Sequence, residues 1–249
     1  MLIQPVIKNQ GVNALNAESL ILITTATKPP EGVFVLEMTD VSKRKITAKA
    51  AAFFWGAFGV RRIVIADATG QTLLLEEEML MLNQMGVEVE QIYYIQNADL
   101  VIRNGKGYGE GALIKFALQN SAFLKSATNF FKCTGKVYCR NFSEIFNMVQ
   151  ENKIQNIFWQ DSFDNSIDSR FFYTSKDFSE EILIPAYENV DDRNGVMSEH
   201  TIMKLAQQHL TQGRSIRPLL TGFSGSLNKP YFDLSLGFLD QNFPCWFGK

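Results

Sequence analysis

The chain has 249 residues, 46% of them hydrophobic and 20% charged, enough to bury a sizeable core in one globular domain. With 24 basic and 26 acidic residues the formal charge is -2, so no whole-molecule field draws in nucleic acid or an anionic membrane. Two histidines and three cysteines without ligand spacing exclude a histidine-rich metal centre and a disulfide framework. No basic segment followed by a long apolar run opens the chain, and no stretch approaches the roughly 20 apolar residues that cross a bilayer. A cytoplasmic protein without a transmembrane segment is expected.

Residues 1–18 read as an irregular lead-in. Ser19 to Thr25 is an apolar run ending in hydroxyls, the pattern of a strand buried on both faces. The Ala26–Gly32 segment, with two prolines, stops any regular element. Thr39 to Gly59 predicts a helix capped by Asp40 or Ser42, with Ile46, Ala50, Phe53, Phe54 and Ala57 as its apolar stripe. Ile63 to Ala66 is a second buried strand running into Asp67-Ala68-Thr69-Gly70. Thr72 to Met85 predicts a helix stopped by Gly86, and Val87 to Ile95 a third strand. The glycine-rich stretch Asn104 to Gly111 (NGKGYGEG) is expected as a turn before a helix beginning near Gly111. Asn129 to Asn141 reads as a hairpin about Thr134-Gly135. Ser143 to Asn152 predicts a helix, Ile157–Trp159 and Arg170–Thr174 strands, and Phe178–Tyr187 and Ser198–Leu210 helices. A loop-rich end follows Gly213.

This order predicts an α/β protein with a mainly parallel central sheet flanked by helices. The chain is expected to form one domain over 1–249, with a soft boundary near Glu151 between its two halves. In such sheets ligands bind beyond the carboxyl ends of the strands. The ends at Thr24–Thr27 and Asp67–Gly70 and the glycine-rich turn should therefore share one crevice.

Several side chains there carry chemistry. Asp67 after a strand suits a ribose hydroxyl, or equally a turn, and Thr25 and Thr27 offer hydroxyls to a nucleotide or to their own backbone. The glycine-rich stretch is neither a P-loop nor a dinucleotide fingerprint, but Lys106, Gly107 and Gly109 place charge and open backbone together. In a hairpin Lys132, Thr134 and Lys136 would share one face and converge on an anion, or form a solvated edge. Glu199, in the first turn of a predicted helix, is a candidate general base, or an acid complementing the helix dipole. Gly222–Ser226 reads as a hydroxyl-rich loop able to close over a ligand, or as a plain connection.

The segments TTATKPP, IVIADATG, NGKGYGEGALIKFAL, FFKCTGKVYCRN, IDSRFFYTSKDF, VDDRNGVMSEH and GFSGSLNKPY together resemble bacterial glycosyltransferases of capsule and lipopolysaccharide synthesis. The resemblance implies a GT-A-like, Rossmann-related fold and transfer of a sugar from a nucleotide donor to a glycan or lipid-linked acceptor. Residues 1–150 would bind the nucleotide sugar and 151–249 the acceptor. Thr25, Thr27 and Asp67 would hold the nucleotide, and Lys106, Lys132 and Lys136 with Gly107, Gly109 and Thr134 the diphosphate side of the donor. Glu110 would hold the donor sugar, Glu199 would act as base, and Asp168, Arg170 and Ser224 would meet the acceptor. The Asp-x-Asp pair of many such enzymes is missing. Either lysines replace a magnesium or manganese ion, or later acids such as Asp168 and Asp191 hold it. The competing expectations are a nucleotidyltransferase that makes an activated sugar and a non-catalytic glycan-binding subunit. A place at the inner face of the inner membrane suits such a pathway.

Overall fold

The computed structural model describes residues 19–33, 37–160, 166–206, 216–226, 228 and 230–231. The lead-in, Asp161, Asp164, the end of the last predicted helix with His209, and the aromatic C-terminus lie outside the described residues. Six strands form a central sheet in the order β3-β2-β1-β4-β7-β6. These are β1 (Leu20–Thr25), β2 (Arg62–Asp67), β3 (Glu88–Tyr93), β4 (Asn129–Thr134), β6 (Ile157–Gln160) and β7 (Ile167–Ser175). The first four run parallel, and β7 pairs antiparallel with both β4 and β6. The expected mainly parallel α/β sheet is therefore what the chain forms.

Alternation along the strands builds two cores. Ile21, Ile23, Ile63, Ile65, Phe131 and Phe171 pack on one face with Trp55 of α1 (Val41–Ala57) and Phe142 of α6 (Phe142–Glu151). Leu20, Leu22, Val64, Ala66, Phe130 and Phe172 pack on the other. Their partners include Leu113 and Ala117 of α4 (Lys106–Asn120), Tyr187 of α8 (Ile184–Glu188) and Ile202 of α9 (Ser198–Ala206). A strand buried on both faces favours apolar residues, and LILITT, buried at every position, carries no charge. Between these elements lie α2 (Glu76–Gln84), α3 (Ala98–Asn104), α5 (Ala122–Ser126) and α7 (Lys176–Phe178). Among the described residues no helix is long and apolar enough to cross a membrane.

Three expectations change. Gly222 and Phe223, expected in a loop, lie in a strand, Leu220–Phe223. The β4–β5 hairpin does not form: β5 (Val137–Cys139) leaves the central sheet and pairs with β8 (Leu220–Phe223), which pairs with β9 (Pro230–Tyr231). β4 is taken on both edges by β1 and β7, so it has no free edge to offer. The glycine-rich stretch is not a loop either. After α3, Gly105 turns the chain with φ +100°, and Lys106 to Gly111 are the first turns of α4. A Cβ on Gly105 would run into the Asp192 carboxylate, and one on Gly111 into the Tyr187 side chain. These glycines admit neighbours against a helix; they do not make a free cradle.

Candidate functional site

The strand order reverses between β1 and β4: β1 to β3 run outward on one side, and the chain returns to place β4 on the other. A crevice opens at such a point beyond the carboxyl ends. Thr24 and Thr134 are register partners at those two ends, and both line a cavity of about 330 Å³. Its wall draws on α4, on Arg44 of α1, on Ser169 and Arg170 of β7, on Glu199 of α9 and on Phe223 to Ser226.

At the floor Glu110 and Lys132 form a buried ion pair at 2.8 Å. Glu110 Oε1 also accepts from Thr24 Oγ1 at 2.7 Å and from Thr134 Oγ1 at 3.2 Å. Lys132 Nζ donates to Thr134 Oγ1 at 3.1 Å and to the Ser169 carbonyl at 2.8 Å. Burial would raise the Glu110 carboxyl, but the Lys132 charge and the three hydrogen bonds outweigh it and hold it below the usual carboxylate range. Lys132 is therefore fully buried and spent on this network, which removes it from the expected diphosphate site. All the described bonds of Glu110 fall on Oε1.

Lys136 has the opposite character. It sits at φ +78°, an uncommon conformation for a residue with a side chain, and is 6% exposed. Its ammonium has no described hydrogen-bond partner, and it lines the cavity. Burial, with the nearby Arg44 charge, lowers its pKa to about 7 against partial compensation from Glu110 and Asp67. Arg44, equally buried, donates to the carbonyls of Ala26 at 2.6 Å and Met38 at 2.8 Å. Nothing in the sequence marks Arg44, which reads there as one cation in a basic helical turn.

Glu199 lies in the first turn of α9 and is fixed by two hydroxyls, Ser169 Oγ on Oε1 at 2.8 Å and Ser198 Oγ on Oε2 at 2.9 Å. Lys106 reaches across the mouth to the Ser226 hydroxyl. Gly107 and Gly109 line the wall, as does Ser224, which is buried. Arg170 also lines it, while Asp168 grips Arg170 from outside through Oδ1 to Nε at 2.7 Å and Oδ2 to Nη2 at 2.6 Å. Asp168 is therefore committed to this pair and is not placed to meet an acceptor. Asp192 lies in the VDDRNGV segment, where no local pattern marks it. Its carboxylate accepts from Gly107 N at 3.1 Å and caps α4, whose own N-cap glycine has no side chain.

Thr25 lines the cavity, but Asp67 and Thr27 do not. Asp67 is buried and both its oxygens are occupied: Thr25 Oγ1 and Thr27 N at 2.6 and 2.9 Å on one, and Thr69 N, Thr69 Oγ1 and Gln71 N on the other. It ties the loop after β1 to the loop after β2, so the turn-forming reading replaces the ribose contact for Asp67 and Thr27. For a divalent ion, among the described residues no group of three or more His, Cys, Asp or Glu is placed to hold one. Asp191 is turned onto Asn194, with Oδ2 accepting from Nδ2 at 2.7 Å.

No protein-family model and no curated protein matches the chain. Among solved structures it is similar to a glycosyltransferase involved in glycosylation of the major capsid of PBCV-1, at 10% identity and TM-score 0.44 over 80% of this chain and 81% of that one. It is similar to a structure described as a nucleotide-diphospho-sugar transferase from Desulfovibrio desulfuricans G20, at 13% identity and TM-score 0.46 over 77% and 76%. A third, described as a glucose-1-phosphate thymidylyltransferase from Bacillus anthracis, gives 9% identity and TM-score 0.40 over 82% and 89%. Likenesses this weak establish neither a family nor an activity.

Proposed function

We propose that the protein transfers a sugar from a nucleotide-sugar donor to a glycan or lipid-linked acceptor, on the cytoplasmic side in bacterial surface polysaccharide synthesis. One observation carries this reading. The cavity at the β1/β4 reversal sets cations (Arg44, Lys106, Lys136, Arg170) around two oriented carboxylates, Glu110 and Glu199. An acceptor hydroxyl would attack the anomeric carbon while the carbon–oxygen bond to the diphosphate breaks. The leaving diphosphate takes the electron pair, and Lys136, Lys106 and Arg44 neutralise its charge. Glu199, oriented by Ser169 and Ser198, takes the proton of the attacking hydroxyl. Glu110 holds the donor sugar through Oε2. Residues 1–150 supply the donor side, while Arg170, Ser224 and Glu199 from 151–249 face the acceptor.

The test is thermal stabilisation by a panel of nucleoside diphosphates and nucleotide sugars, with manganese and again with EDTA, followed by product analysis. A selective shift of several degrees, preserved in EDTA and followed by sugar transfer, supports the proposal. Pyrophosphate release from a nucleoside triphosphate and a sugar phosphate would replace it with the nucleotidyltransferase. Saccharide binding with no nucleotide response would replace it with the binding subunit. In the transfer assay Glu199→Gln should lower kcat by about 10²–10⁴-fold at an unchanged KM and unfolding midpoint. Full turnover in that variant would remove Glu199 as the base.

A further inference from the structure

Lys136 holds an arrangement that neutralising a leaving group does not require. Its ammonium is buried yet opens on a cavity. Its backbone is clamped, since the Lys136 carbonyl accepts from Phe223 N at 2.9 Å and Gly135 N donates to the Thr24 carbonyl at 2.6 Å. The left-handed φ of Lys136 is strained for a residue with a side chain and persists because those contacts hold it. Gly225 lies directly over the amine: a Cβ built there would stand 3.1 Å from Lys136 Cε and 3.4 Å from Nζ. Arg44 faces the amine from α1, Glu110 from α4, Cys133 from β4 and Asp67 from the end of β2. Of these, Glu110 and Asp67 are engaged elsewhere, so no described carboxylate binds the amine. A desolvated amine without a carboxylate partner, with its pKa lowered to about 7, is about half free base near neutral pH, and a free-base amine is a nucleophile.

We infer that Lys136 Nζ is a covalent binding site for small aldehydes or ketones that carry an anionic group, with Arg44 receiving the anion. The lone pair of Nζ attacks the carbonyl carbon and the C=N bond forms. The carbonyl oxygen leaves as water with the two protons of the neutral amine. A cavity of about 330 Å³ admits a molecule of this class. The inference shares Lys136 with the transferase reading, which uses the protonated fraction of the amine where imine formation uses the free base; labelling reads the amine without sugar transfer, so the two readings fail separately.

The probe is pyridoxal 5′-phosphate, an aldehyde bearing a phosphate, added near neutral pH and fixed by borohydride, which delivers hydride to the imine carbon. Peptide mapping of the full chain then reads the labelled lysines. Lys136 should label faster than the exposed lysines by about tenfold or more, because far more of it is unprotonated at that pH. Pyridoxal without the phosphate should label it more slowly, and Lys136→Met should lose one equivalent of label. Labelling confined to exposed lysines such as Lys106 and Lys115 would overturn the inference on the wild-type protein alone, whatever the folding of the variant. Equal rates for the two aldehydes would overturn the role of Arg44.

Discussion

At the residue scale the site contrasts two buried lysines four positions apart. Lys132 meets a carboxylate, two oxygens of neighbouring residues and the Phe172 ring. Removing one partner of such a buried pair strands the other charge. Lys132→Met should therefore cost about 3–5 kcal/mol in denaturant unfolding, and the double variant with Glu110→Gln should recover most of it. Additive losses would mean that the pair is not coupled. Because the Glu110 carboxyl is held low when folded, its stabilisation is complete above the ordinary carboxylate range and is lost as pH falls through the folded value.

Lys136 runs the other way. Its amine is near 10.5 when free and about 7 when folded, so the native state binds that proton less well than the unfolded chain does. Stability should therefore rise as pH climbs from about 7 towards 10.5, and Lys136→Met should flatten that rise and exceed the parent below pH 7. Unfolding midpoints across pH check this, and parallel curves would reject it. Anion binding carries the reverse slope, weakening as Lys136 loses its proton above about pH 7.

At the scale of elements, α4 is the hinge of the arrangement. Its glycines let Asp192 cap it and let Tyr187 of α8 lie against Gly111, which sets Glu110 over the ends of β1 and β4. Gly111→Ala forces Tyr187 away in a close-packed layer and should destabilise by about 1–3 kcal/mol. Chemical denaturation measures it, and a neutral result would show that α8 yields freely. The sequence exposed the unusual glycine content of this segment but not its use. A run of glycines reads locally as a turn, and only the approach of Asp192 and Tyr187, some 80 residues downstream, shows that the absent side chains admit neighbours.

At the scale of the whole molecule the formal charge of -2 hides a cavity whose wall carries Arg44, Lys106, Arg170 and the partly protonated Lys136 against two carboxylates. A concave low-dielectric wall focuses that local excess, so a neutral composition does not preclude an anionic ligand. The wall is assembled from both sheets. A ligand there should slow amide exchange together in peptides spanning 24–33, 134–137 and 219–226, and leave α2 unchanged. Hydrogen exchange with and without a nucleoside diphosphate reads this directly. Protection confined to one segment would mean that the cavity is not a single site.

The sequence by itself determined most of the strands and helices and the parallel α/β order, because strand and helix periodicities are local; it did not determine α3, the first turns of α4 or β8. It also named Glu110, Glu199, Lys106 and Lys136, which the fold gathers around one cavity. Only the tertiary structure decided the rest. It sent β5 to a second sheet, spent Asp67 on a loop tie and Lys132 on Glu110, and brought Arg44 in from a helix with no distinguishing motif. Which charges are paired and which stay free depends on contacts between distant segments. A pattern read along the chain carries no record of those contacts.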